Sequence, residues 1–148
     1  MKRIMPPTYL WIFLLLAIVL HFVFPIKMLV SSWHKYYIGA LIFLFGLVVN
    51  IWVDQVFKKK GTTIRPDEIP THFEISGAFK FSRHPIYLGM VLVLLGVAVM
   101  LGSLVAVIFP VIFFILMETI FIPIEEKNME KAFGSKYLEY KKKVRRWL

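Results

Sequence analysis

Residues 85–122 read PIYLGMVLVLLGVAVMLGSLVAVIFPVIFFILMETIFI, a stretch whose one charged side chain is Glu118. Gly102-Ser103 is its only polar break and leaves room for a tight turn and no more. A bilayer core takes roughly 20 apolar residues per helix. The stretch therefore reads as a hairpin of two membrane-spanning helices, 85–101 and 104–122. Pro85 suits the first turn of a helix, Ser82 is a candidate N-cap, and Pro110 is expected to kink the second arm.

Working outward, two more apolar runs precede the hairpin and predict spans over about 7–29 and 36–57. The first could be a signal peptide, but no A-x-A cleavage pattern follows it, so it reads as an uncleaved span ending near Pro25 and Lys27. Gly39 and Gly46 lie one heptad apart in the second, where small residues let helices approach closely. His21 reads as an interhelical hydrogen-bond donor. The 148 residues are 59% hydrophobic, well above the ~45–50% of an ordinary soluble domain, and the mean hydropathy is +0.73. The fold class that follows is an all-α integral membrane protein of one domain, 1–148. It has four transmembrane helices, a loop over 58–84 and a C-terminal amphipathic interfacial helix within 123–148. No G-x-G-x-x-G or G-x-x-x-x-G-K-[ST] occurs, which excludes Rossmann and P-loop enzymes.

Charge sets the orientation. The formal net charge is +9, which in a soluble protein would suggest nucleic acid. Here the 18 basic residues are sorted by side: all but Lys27 and Lys35 fall before the first span, in the 58–84 loop or in the tail. The positive-inside rule then puts both termini and the long loop in the cytoplasm, with the protein in the cytoplasmic (inner) membrane and no nucleic-acid partner. With no cysteine in the chain, thiolate metal sites and cysteine nucleophiles are excluded, and no His/Asp/Glu set has metal-ligand spacing.

The tail carries an apolar stripe: Met129, Phe133, Tyr137, Tyr140, Val144 and Trp147 recur at helical spacing. A basic amphipathic helix with Tyr and Trp suits a membrane surface, and Gly134-Ser135 is where it would break. Its start is expected to cover a site and its end, beyond Lys143, to grip the interface. Polar groups gather at one level of the membrane: Asn50 and Asp54 on the second span, Arg83-His84-Pro85 at the start of the third, Glu118 in the lower part of the fourth, and Glu125 and Glu126 just after it. Lys58 is the i+4 neighbour of Asp54, so that pair reads equally well as a surface pair. Glu118 has no such local partner and reads as a site residue. Glu125, seven residues on, is expected on the same helix face.

Two segments resemble the signatures of isoprenylcysteine carboxyl methyltransferases and related phospholipid methyltransferases. Gly77-x-Phe79-x-x-x-Arg83-His84-Pro85-x-Tyr87-x-Gly89 is similar to the first. Glu125-Glu126 followed by Phe133-Gly134-x-x-Tyr137-x-x-Tyr140-x-x-x-Val144 is similar to the second. Gly61-Thr62-Thr63 with Pro66 also resembles the loop before the first signature. The resemblance runs from about Lys58 to the C-terminus. It implies a membrane methyltransferase whose cofactor, S-adenosylmethionine, lies on the cytoplasmic side under the C-terminal helix. Carried over by position, the cofactor-binding residues are Thr71, His72, Phe73, Glu74, Phe79, Arg83, His84, Pro85, Ile86, Tyr87, Glu125 and Glu126. Eukaryotic members place an arginine four residues before the glutamate, to hold a substrate carboxylate. Phe121 stands there in this chain.

The residues themselves agree with that chemistry. The free N–H groups that open the third span suit an anionic carboxylate, and Glu125 and Glu126 suit an ammonium, ribose hydroxyls and a sulfonium. A carboxylate acceptor needs no base, whereas an ammonium must first lose a proton, for which Glu118 is the candidate. The expected partners are membrane lipids and a lipidic or prenylated acceptor, either a small molecule or a protein C-terminus. Two other readings compete. A sterol-reductase-like enzyme using NADPH would need many more spans. A small four-helix transporter would carry less chain outside the bilayer.

Overall fold

The computed structural model describes residues 5–24, 33–61 and 71–148. Thr62, Thr63 and Pro66 of the loop motif, and the end of the first span at 25–29, lie outside the described residues. The rest is helical, with no strand among the described residues. The elements are α1 (Pro6–Val23), α2 (His34–Lys60), a 3-10 turn (Gly77–Lys80), α3 (Pro85–Leu101) and α4 (Leu104–Leu116). A π-turn (Met117–Phe121), α5 (Ile122–Phe133) and α6 (Ser135–Lys143) complete the chain.

Among the described residues, three helices are long and apolar enough to cross a membrane: α1, α2 and the continuous helix Leu104–Phe133. α3 is apolar but has 17 residues, about 25 Å at 1.5 Å per residue. Trp11, Phe22, Leu41 and Phe45 point away from the protein, as a lipid-facing surface would. Lipid offers no hydrophobic drive between helices, so packing must supply the contact. Along α2 and α3 it does so through glycine. A Cβ on Gly39 would lie 2.7 Å from the Gly96 oxygen, and one on Gly46 would lie 2.6 Å from the Gly89 oxygen. The seam anticipated from Gly39 and Gly46 has thus its complement one heptad apart on α3. α1 closes the other side with edge-to-face and tilted rings, Phe13 against Phe109 at 5.8 Å and Phe113 at 6.1 Å.

Three local features depart from the sequence reading. The fourth helix does not stop at 122 but runs on to Phe133 through the π-turn. Pro123 has no N–H to give to Thr119, and the Ile122 N–H reaches back five residues to the Met117 oxygen. The tail breaks at Gly134, where Gly134-Ser135 anticipated it and where a φ of +52° is natural only for glycine, but the helix ends altogether at Lys143, short of Val144 and Trp147. At His21, Nδ1 is buried without a hydrogen-bond partner among the described residues, and the ring meets its chain neighbour Phe22 at 5.2 Å.

Candidate functional site

Arg83 and His84 end the loop that leads into α3. Gly77, with φ +59°, packs on Trp52 of α2 and starts the 3-10 turn that swings Phe79 inward. Phe79 is buried with Val53, Tyr137 and Tyr140, and its carbonyl accepts the Tyr140 hydroxyl at 2.6 Å. Ser82 does not cap α3 as an N-cap, a position His84 occupies. Its hydroxyl instead accepts the His84 N–H at 3.2 Å and donates to the Arg146 carbonyl at 3.2 Å. Of the loop residues singled out from sequence, Glu74 accepts the N–H groups of Ile75 and Ser76 at 3.1 and 2.8 Å. Hydrogen bonds from Ser76 outweigh burial and hold its pKa below the ordinary carboxylate value. Glu74 also lies 3.8 Å from both His72 and Lys60. Phe73 stacks on Phe133 at 5.1 Å. Thr71 begins this strip.

The centre is His84, buried and stacked on Tyr87 at 5.8 Å. Its Nε2 lies 3.5 Å from Glu126 Oε1. Its Nδ1 lies 3.4 Å from Glu125 Oε2, an ion-pair distance without hydrogen-bond alignment. Burial pulls the His84 pKa down, but hydrogen bonding and charge from Glu125 and Glu126 push harder, and the net direction is up. Glu126 is the hub. It takes Arg83 Nη2 at 3.1 Å, Arg146 Nη2 at 2.9 Å and Nε at 3.2 Å, with Lys141 at 3.6 Å. Glu125 is the more open of the two. Pro85 and Ile86 open α3 beside them, Pro85 buried and Ile86 partly so.

Glu118 is drawn in as well, and not alone as the sequence suggested. Arg146 Nη1 donates to its Oε1, and the Trp147 indole N–H donates to Oε2 at 2.7 Å. The π-turn explains the pairing. In an α-helix residues seven apart nearly share a face, drifting about 20°. Taking up one residue makes an eight-residue spacing behave as seven, so Glu126, not Glu125, lines up with Glu118 under one guanidinium. Sequence reasoning missed Arg146 because it is one cation among eight in the tail, and it assigned Trp147 to the interface. The Val-Arg-Arg-Trp end gave no periodic signal for a return to the site. Asp54 pairs with Lys58 at 2.5 Å on the surface of α2, and Asn50 packs against Gly89. Phe121 is buried, its ring 5.8 Å from Tyr9.

The arrangement offers carboxylates, guanidinium N–H groups and a helix start within one buried cluster. A family model described as phospholipid methyltransferase matches residues 34–136. An uncharacterized protein of Haemophilus influenzae is 40% identical over 62 residues, which are 42% of this chain and 98% of that protein.

Proposed function

Because the chain belongs to the phospholipid methyltransferase family, we propose that it uses S-adenosylmethionine to methylate an amphiphilic acceptor drawn from the bilayer. The observation that carries this reading is a set of buried atoms around His84. Its Nδ1, Glu125 Oε2, and Arg83 Nε and Nη1 have no hydrogen-bond partner among the described residues. An unsatisfied buried polar group costs about 1–3 kcal/mol, a cost that a bound polar ligand removes. The donor set fits such a ligand. Glu125 would take an ammonium or ribose hydroxyl, and Arg83 with the first N–H groups of α3 would take a carboxylate. His84, Pro85, Ile86 and Tyr87 form the wall, and Glu126 holds Arg83 and His84 in place. Thr71, His72, Phe73, Glu74 and Phe79 shape the loop behind them.

When bound, the cofactor supplies an electrophilic methyl group on a sulfonium. The chain's share is to hold donor and acceptor in line and to exclude water. Phe121 provides no cation for a carboxylate acceptor, and Glu118, three residues before it, adds an acidic group. Both favour a lipid amine over a prenylcysteine carboxylate, with Glu118 accepting the proton that an ammonium must lose before attack.

Thermal melting of the purified protein tests the reading. S-adenosylhomocysteine should raise the melting temperature, whereas NADPH and a lipophilic cation should not; no shift with the first sinks it. The proposed topology has four spans, α3 included, with both termini cytoplasmic in the inner membrane. Single cysteines at Ser32 and Ser135 should label from opposite sides, and labelling from one side overturns it.

A further inference from the structure

Beyond Lys143 the chain leaves the helix and crosses back over the loop that opens α3. The Arg83 N–H donates to the Arg145 carbonyl at 3.1 Å, and Ser82 bonds the Arg146 carbonyl. Arg146 then joins Glu118 on the π-turn to Glu126 on α5. Trp147 packs on Phe114 at 4.5 Å. Arg145, Arg146 and Trp147 lie outside the 34–136 region that the family model matches. Such a short non-helical segment is tied to the loop, α4, the π-turn and α5 at once, far more than a surface anchor needs.

We propose that Arg146 is a positioning residue of the methyl-transfer site, binding the terminal strap over it and fixing Glu126 against Arg83 and His84. The inference rests on the cofactor reading above. Its physical basis is bidentate geometry: a planar guanidinium places both carboxylates at once, which an ammonium cannot do. Around His84 the facing groups are Glu125 and Glu126 from α5 and Tyr87 from α3. Glu126 is in turn faced by Arg83, Lys141 and Arg146. Removing the Arg146 charge strips one cation from this set. The His84 imidazolium is then held more tightly, and its titration moves to higher pH.

The test is calorimetric titration of the full-length protein with S-adenosylhomocysteine across a pH series. Arg146→Gln should weaken binding about tenfold, the order expected for lost charge-assisted bonds, and move the midpoint of the pH profile upward. Arg146→Lys should restore the pH midpoint and only part of the affinity. Glu118→Gln, which removes one of the two carboxylates that Arg146 joins but leaves its bonds to Glu126 in place, should weaken binding less than Arg146→Gln and keeps the test readable where Arg146→Gln fails to fold. Truncation after Lys143 should match Arg146→Gln. Wild-type affinity with an unmoved midpoint in Arg146→Gln, or in the truncated chain, overturns the proposal and returns the strap to a surface anchor. A uniform loss with no pH shift and no rescue by lysine also overturns it, leaving packing alone. No binding by the wild-type chain overturns the cofactor reading and this inference together.

Discussion

The two ends of α3 are held by opposite means. Deep in the helix bundle it meets α2 backbone to backbone, with glycines on both sides and no polar partner needed. At its start, Arg83 and His84 are gripped by carboxylates from α5 and by the returning tail. The first contact is short-range and intolerant of volume. The second is electrostatic, and it tolerates shape changes but not the loss of a charge. The seam sets where α3 lies, and the charged cluster sets what its first turn offers.

The comparison is broken most directly at the seam. A Cβ on Gly96 would lie 2.6 Å from the Phe43 nitrogen and 2.7 Å from the Gly39 oxygen, and backbone cannot step aside as a flexible side chain can. Overpacking of a core typically costs about 1–3 kcal/mol, and a backbone collision lies at or above the top of that range. Gly96→Leu should therefore abolish the monodisperse folded species on size exclusion in detergent. A folded Gly96→Leu with an unchanged melting temperature would mean that α2 and α3 are not in contact at this point.

The seam and the hairpin were legible in the sequence because their signals are local. Apolar runs, glycines one heptad apart and a Gly-Ser turn all read along a single helix. The all-helical membrane class and the family followed from the same kind of signal. The cluster was legible only in part. Arg83, His84, Glu125 and Glu126 stand in short motifs and meet in the fold. The partnership of Glu118 was hidden by two non-local events. Pro123 forces a π-turn that shifts the helix face by one residue, and the tail abandons helical geometry after Lys143, so a stripe drawn on to Trp147 pointed the wrong way. The fold also gives the Phe79 carbonyl a Tyr140 hydrogen bond and makes Glu74 a loop cap, two local roles that the motifs did not signal.

The charged end is sharpened by pH. The His84 pKa is raised against burial by its two glutamates. Its contribution to stability is thus fully present below the ordinary histidine value of 6.5 and is lost as pH rises through the higher folded-state value. The wild-type melting temperature should fall over that window, by about 2–4 °C for each kcal/mol withdrawn. His84→Asn should melt lower and lose this dependence, while a surface variant away from the cluster, Lys58→Ala, keeps the slope. A wild-type profile that rises with pH through the same window would mean that His84 is not held as an imidazolium between Glu125 and Glu126.

The smallest effect belongs to the pair that resembles the cluster chemically but not physically. Asp54 and Lys58 meet at 2.5 Å, yet the lysine side chain is 72% exposed, so water and salt screen the attraction. Pairs at this helical spacing contribute about 0.3–0.5 kcal/mol. Lys58→Ala should shift the melting temperature by no more than a degree or two, with the difference vanishing in high salt. It should leave S-adenosylhomocysteine affinity unchanged, because among the described residues no bond connects this pair to His84, Glu125 or Glu126. A several-fold loss of affinity in Lys58→Ala would place Asp54 within the site after all. The boundary between a screened surface pair on α2 and the buried network on α3 and α5 would then have to be redrawn.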